Sequence, residues 1–393
     1  APVDAFYFYG GQLTEADLAR LRDAVVKVFS KPLEQPSRDQ KFNPARAAPT
    51  NHSRWLRDGL ALTLLIIASM HDVANLHVKG KSPQQYVDDV VNALPEWSKS
   101  HHSIMRLGDQ TALFAEAAPN PFLKALESIL EGAPEQVAQI FESERDRIFG
   151  PWSPHVHFLW ALETIAWDPK YLNRAAVVLA KLGQLDPDPD SNHVNRPINS
   201  LRDILLAWSP STYASQAQRI ACLDAVLTAC PDVGWQLLKK LMPRHMDSTS
   251  PTQHPKLRDL APERPEEITF GTVWDFETAV IDRALVAAGD DKGRLGVFVE
   301  AMGQLQPSNR AKLLARLDSF LTAHQTAEGN TTWHALKDEA VRNEYFGDSD
   351  WALTGDELAA LKAVVERHRP TDPMVSERHA FDDWTPHVGK YDP

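Results

Sequence analysis

The sequence predicts an all-α chain. Three observations carry that prediction. First, Ala166-Trp167-Asp168-Pro169 and Ala207-Trp208-Ser209-Pro210 stand 41 positions apart, each closing an apolar run and opening the next. Second, prolines and capping residues sit where helical periodicity begins, as in Ser82-Pro83-Gln84-Gln85, because a first-turn proline loses no hydrogen bond. Third, no alternating apolar/polar stretch is long enough to build a sheet. A period near 40 residues suits stacked antiparallel helix pairs, the arrangement of HEAT- and TPR-like α-solenoids.

The elements follow in order. Ala5–Tyr9 is short and aromatic and reads as a strand or a docking segment. Thr14-Glu15-Ala16-Asp17 resembles a capping box, and Leu18, Leu21, Val25 and Val28 then recur at helical spacing, giving a helix over 14–30. Residues 31–52 are proline-bearing and aperiodic, hence a loop. Trp55–His71 is apolar nearly all round, which implies burial between neighbours. Ser82 caps a helix whose Val87, Val90, Val91 and Leu94 face inward. Asp109–Ala118 is helical, Asn120-Pro121 opens a helix ending before Gly132, and Ala133-Pro134 opens another to Phe149. Helices are then expected over Pro154–Trp167, Pro169–Gly183, Pro197–Trp208, Ser211–Cys230 and Pro231–Met242, with loop 184–199 between the second and third. Residues 244–266 are rich in proline and polar side chains and mark a boundary. Beyond it come Ile268–Ala288, Lys292–Leu305, Ser308–Ala323, Trp333–Tyr345 and Gly355–Arg369, and Pro370–Pro393 returns to loop chemistry. The expected organisation is an N-terminal helical region 1–150, a helical-repeat core 151–243, a boundary loop 244–266 and a C-terminal helical region 267–393.

Composition narrows the function classes. The 393 residues carry a formal net charge of -12, which disfavours a dominant nucleic-acid partner, since phosphate binding needs clustered Lys and Arg. The longest apolar run, Leu60–Met70, is about half of a membrane span, so no membrane partner is expected. Cys222 and Cys230 lie eight positions apart on one expected helix, about 12 Å along its axis and beyond the roughly 7 Å a disulfide tolerates. Free thiols and the lack of a visible signal peptide point to the cytoplasm. The ends lack capping signals, and the chain reads as a piece of a longer polypeptide.

No motif announces a reaction. Gly80-Lys81-Ser82 resembles the end of a phosphate loop, but Asn75 stands where the pattern needs glycine, and Ser82 reads as a helix cap. Asp186-Pro187-Asp188-Pro189-Asp190 alternates carboxylates like a calcium loop, yet Ser191 and Pro197 replace the required Gly and Glu. A rigid turn fits better. His155-Val156-His157, with His101-His102, could supply imidazoles to zinc only if three or four ligands converged. No Gly-x-Ser-x-Gly elbow is present. Trp160, Trp167, Trp208 and Trp235 are expected to fill wedges between helix pairs. No catalytic, cofactor-binding or metal-binding residue is therefore assigned, and no cofactor is expected. The candidate partner-binding positions are Asp188, Asp190, Asn195, Arg196, His245 and His254. Arg196 has the alternative of tethering its own loop to nearby carboxylates, and His245 and His254 that of facing solvent.

A resemblance adds a setting. Leu159-Trp160-Ala161-Leu162-Glu163, Ala166-Trp167-Asp168-Pro169-Lys170-Tyr171-Leu172, Leu185-Asp186-Pro187, Asn195-Arg196-Pro197 with Ser200-Leu201, and Gly234-Trp235-Gln236-Leu237-Leu238 are similar in pattern to the helical C-terminal regions of bacterial STAND-type proteins, including Avs-type antiviral sensors. The similarity extends to Asp4-Ala5-Phe6 and Asp350-Trp351-Ala352-Leu353. It implies a non-enzymatic recognition and scaffold module with a protein ligand, a phage component among the options, joined to flanking effector and NTPase domains. It supplies no ligand-binding residue. Two alternatives stay open: an enzyme whose metal or carboxylate site is assembled from distant helices, and a purely architectural module that forms a homo-oligomer.

Overall fold

The computed structural model describes residues 2–31, 52–144, 154–189, 193–244, 246–264, 266–324, 327–349 and 351–377. Among them the regular structure is helical, with no named strand; a lone antiparallel bridge joins Val78 and Lys81. The expected all-α class is the class observed. The chain divides into two compact units, one of Ala1–Leu237 with Thr249–Glu267, the other of Leu238–Ser248 with Ile268–Pro393.

The first unit opens with α1 (Pro2–Tyr9), where a strand or docking segment was expected. Its aromatics favour strands, but among the described residues no strand is there to pair with, and the backbone satisfies itself in a helix. Then come α2 (Glu15–Phe29), α3 (Arg54–Met70), α4 (Pro83–Asn92), α5 (His101–Met105), α6 (Thr111–Ala117), α7 (Pro119–Gly132) and α8 (Pro134–Val137). They are followed by α9 (His155–Ala166), α10 (Leu172–Leu185), α11 (Pro197–Leu205), α12 (Gln216–Ala229) and α13 (Pro231–Leu241), within which the division between the units falls, after Leu237. Capping boxes start α2 at Thr14/Asp17, α4 at Ser82/Gln85 and α12 at Ser215/Gln218.

Two rows emerge from the packing. Helix α3 packs on α6, α6 on α9 and α9 on α11; in parallel, α4 packs on α7, α7 on α10 and α10 on α12. Cross-contacts join α3 to α4, α6 to α7 and α9 to α10. Each helix thus buries its apolar stripe against a partner in the other row and a neighbour in its own. Leu64–Ala68 of α3 is buried without a break, as its all-round apolarity requires, and Phe114, Phe122, Phe158, Leu179, Leu201 and Leu223 are buried on the helices of the two rows.

The second unit contains α14 (Phe270–Ala288), α15 (Lys292–Ala301), α16 (Pro307–Ala323), α17 (Ala327–Tyr345), α18 (Gly355–Arg367) and the short α19 (Pro373–Ser376). Helix α17 packs on α15, α16 and α18. Its Trp333 is 2% exposed and donates its indole N–H to the Val365 carbonyl at 2.8 Å.

Several boundaries differ from the expected ones. The α12 start moves from Ser211 to Gln216 because the capping box uses Ser215, while the Thr212 hydroxyl donates to the Ala166 carbonyl at 2.7 Å. Helix α10 starts at Leu172, since Lys170 N–H is spent on the Asp168 side chain. Trp235 is buried, Trp160 and Trp167 are half-buried, and Trp208 is exposed, so Trp208 fills no wedge.

Candidate functional site

Three successive helices of the first row each carry a carboxylate in their last turn: Glu116 on α6, Glu163 on α9 and Asp203 on α11. Glu116 and Glu163 stand in otherwise uncharged helices, Thr-Ala-Leu-Phe-Ala-Glu-Ala and His-Val-His-Phe-Leu-Trp-Ala-Leu-Glu-Thr-Ile-Ala. They are 3% and 8% exposed. An acid there is disfavoured twice, by burial and by the partial negative charge at a helix C-terminus. Burial pushes the Glu163 carboxyl above its usual range, partly offset by hydrogen bonds from Ser200 and the Gln253 backbone, with Asp203 nearby adding to the rise.

Their compensation comes from far along the chain. Residues 249–258, which have no helical structure, run as a strap past all three acids. Thr249 Oγ1 donates to Asp203 Oδ1 at 2.9 Å. Gln253 N–H donates to Glu163 Oε2 at 3.0 Å, while Ser200 Oγ donates to Oε1 at 2.6 Å. The three consecutive amides of Lys256, Leu257 and Arg258 converge on the Glu116 carboxylate at 2.7, 2.7 and 2.9 Å. The anchors at 249, 253 and 256 thus fall on α11, α9 and α6 in turn.

Side chains complete the grip. Trp167, the C-cap of α9, donates its indole N–H to the Gln253 carbonyl at 3.0 Å and packs its ring on His254, centroids 4.4 Å apart. His254 Nδ1 faces the Pro255 carbonyl at 2.9 Å, which can only accept, so Nδ1 carries the proton. Nε2 then accepts the Tyr213 hydroxyl at 3.2 Å. The Arg258 Nε donates to the Glu116 carbonyl at 2.7 Å, and Nη2 donates to Gln84 Oε1 at 2.5 Å and to the Ala117 carbonyl at 3.2 Å. A cation thereby closes the C-terminus of α6.

The sequence-derived candidates fall in two places. Asn195 is exposed and its backbone carbonyl accepts from His155 Nε2 at 2.9 Å. Arg196 is 2% exposed and donates to Asp186 Oδ1 at 2.9 Å, a tether within its own loop. Asp188 is exposed and gives its backbone N–H to the same Asp186 oxygen at 3.1 Å. His254 belongs to the strap. His155 and Trp167 mark opposite ends of α9, roughly 18 Å apart at 1.5 Å per residue, so these two groups are separate. Asp190 and His245 lie outside the described residues. Glu116, Glu163, Asp203, Tyr213 and the strap amides escaped the sequence reading; a lone acid inside an apolar helix was the available signal.

Elsewhere, Ser82 completes its capping box and Lys81 pairs with Asp89 at 2.6 Å. Burial lowers the His101 imidazole to about 4, with its neighbour His102 contributing. Among the described residues no group of three or more His, Cys, Asp or Glu is placed to hold a metal ion. Among the described residues no helix is long and apolar enough to cross a membrane. Comparison with protein-family models, curated proteins and solved structures finds no match.

Proposed function

We propose that this chain is a non-enzymatic helical-repeat module that recognises a protein ligand. The observation that carries the reading is the acidic edge of α6, α9 and α11, which grips the non-helical residues 249–258 through four of their backbone amides. The two-row packing of α3, α6, α9 and α11 against α4, α7, α10 and α12 supports a HEAT-like α-solenoid in the first unit. Such arrays present long edges on which an extended chain can lie across successive repeats. Both Glu163 oxygens and both Glu116 oxygens are occupied by hydrogen bonds, which suits anchors better than a general acid or base. A larger protein with effector and NTPase domains, acting in bacterial antiviral defence, is the setting implied by the sequence resemblance alone.

The test is a turnover screen of the purified chain against nucleotides, nucleic acids and peptides, with elemental analysis alongside. The reading expects no turnover and no stoichiometric metal. Robust turnover abolished by one substitution, or bound zinc, iron or manganese lost on replacing His155 and His157, favours the enzyme alternative.

A further inference from the structure

We draw no further inference here: the strongest candidate, the exposed Phe270–Trp274 ring pair on the first turns of α14 with half-buried Glu277 one turn further on, is an unpartnered face of that helix, and nothing in the structure shows what covers it.

Discussion

Replacing Glu116 by glutamine perturbs one rung of the acidic edge and keeps its shape. The carboxylate receives Lys256 N–H on Oε2 and the Leu257 and Arg258 N–H groups on Oε1. Glutamine can keep the pair on its oxygen, but its NH2 then faces the Lys256 N–H, donor against donor. The change loses one charge-assisted bond, weakens two others to neutral strength and leaves an amide short of a partner. Charged bonds contribute about 1.5–3 kcal/mol and neutral ones about 1, so strap attachment should weaken by roughly 2–4 kcal/mol. At 1.36 kcal/mol per factor of ten, the open population rises roughly 30- to 1000-fold. Lys256 and Arg258 are themselves tryptic sites, so limited proteolysis read by mass spectrometry reports that population directly. Cleavage after Lys256 and Arg258 should accelerate by that factor in Glu116→Gln, with cleavage after Lys124 of α7 and Lys181 of α10 unchanged. Strap cleavage at the native rate would refute the assignment of Glu116 as an anchor. Equal acceleration at every site would show that it holds the whole unit and not the strap.

Other predictions concern stability and reactivity. Burial lifts the Glu277 carboxyl on α14 to about 7. A raised acid pKa favours the folded state at low pH, so stability should fall as pH rises from about 4.5 through 7, by about 1–2 kcal/mol after discounting for solvent screening. Urea unfolding at pH 5 and pH 8 should show that fall in the native chain and not in Glu277→Gln. A Cβ on Gly234 of α13 would lie 2.7 Å from Leu227 Cδ2 and 3.0 Å from its Cα on α12. Gly234→Ala should therefore cost roughly 1–3 kcal/mol through overpacking, read as a lower urea midpoint. Burial pushes the Cys222 thiol up to about 12 and raises Cys230 as well. Iodoacetamide at pH 8 should leave both unmodified in the folded chain and alkylate both in guanidinium; rapid native labelling of Cys222 would contradict its burial.

Local chemistry was legible and distant pairing was not. Thr14-Glu15-Ala16-Asp17 and Ser82-Pro83-Gln84-Gln85 announced α2 and α4 because a capping box is complete within four residues. The α12 start was misplaced because Ser211 and Ser215 are equally good caps on paper, and the choice is made by Gln218 and by Thr212 bonding to Ala166. The strand alternative for Ala5–Tyr9 failed because strand propensity counts only when a neighbouring strand exists. The strap was read as a boundary because its proline-rich composition matches a linker. Its partners Glu116 and Glu163 lie 140 and 90 positions away from Lys256 and Gln253, and no local periodicity encodes such a pairing. Trp167 was expected to pack and to give its indole N–H to a carbonyl; that the carbonyl belongs to Gln253, 86 positions away, was not legible.

Amide hydrogen exchange on the intact chain tests the central claim most directly. If the acidic edge holds the strap by its backbone, the amides of Gln253, Lys256, Leu257 and Arg258 exchange far more slowly than those of residues 259–264. Glu163→Gln should then release Gln253, and Glu116→Gln the other three. Exchange at all four amides as fast as at 259–264 would contradict the account.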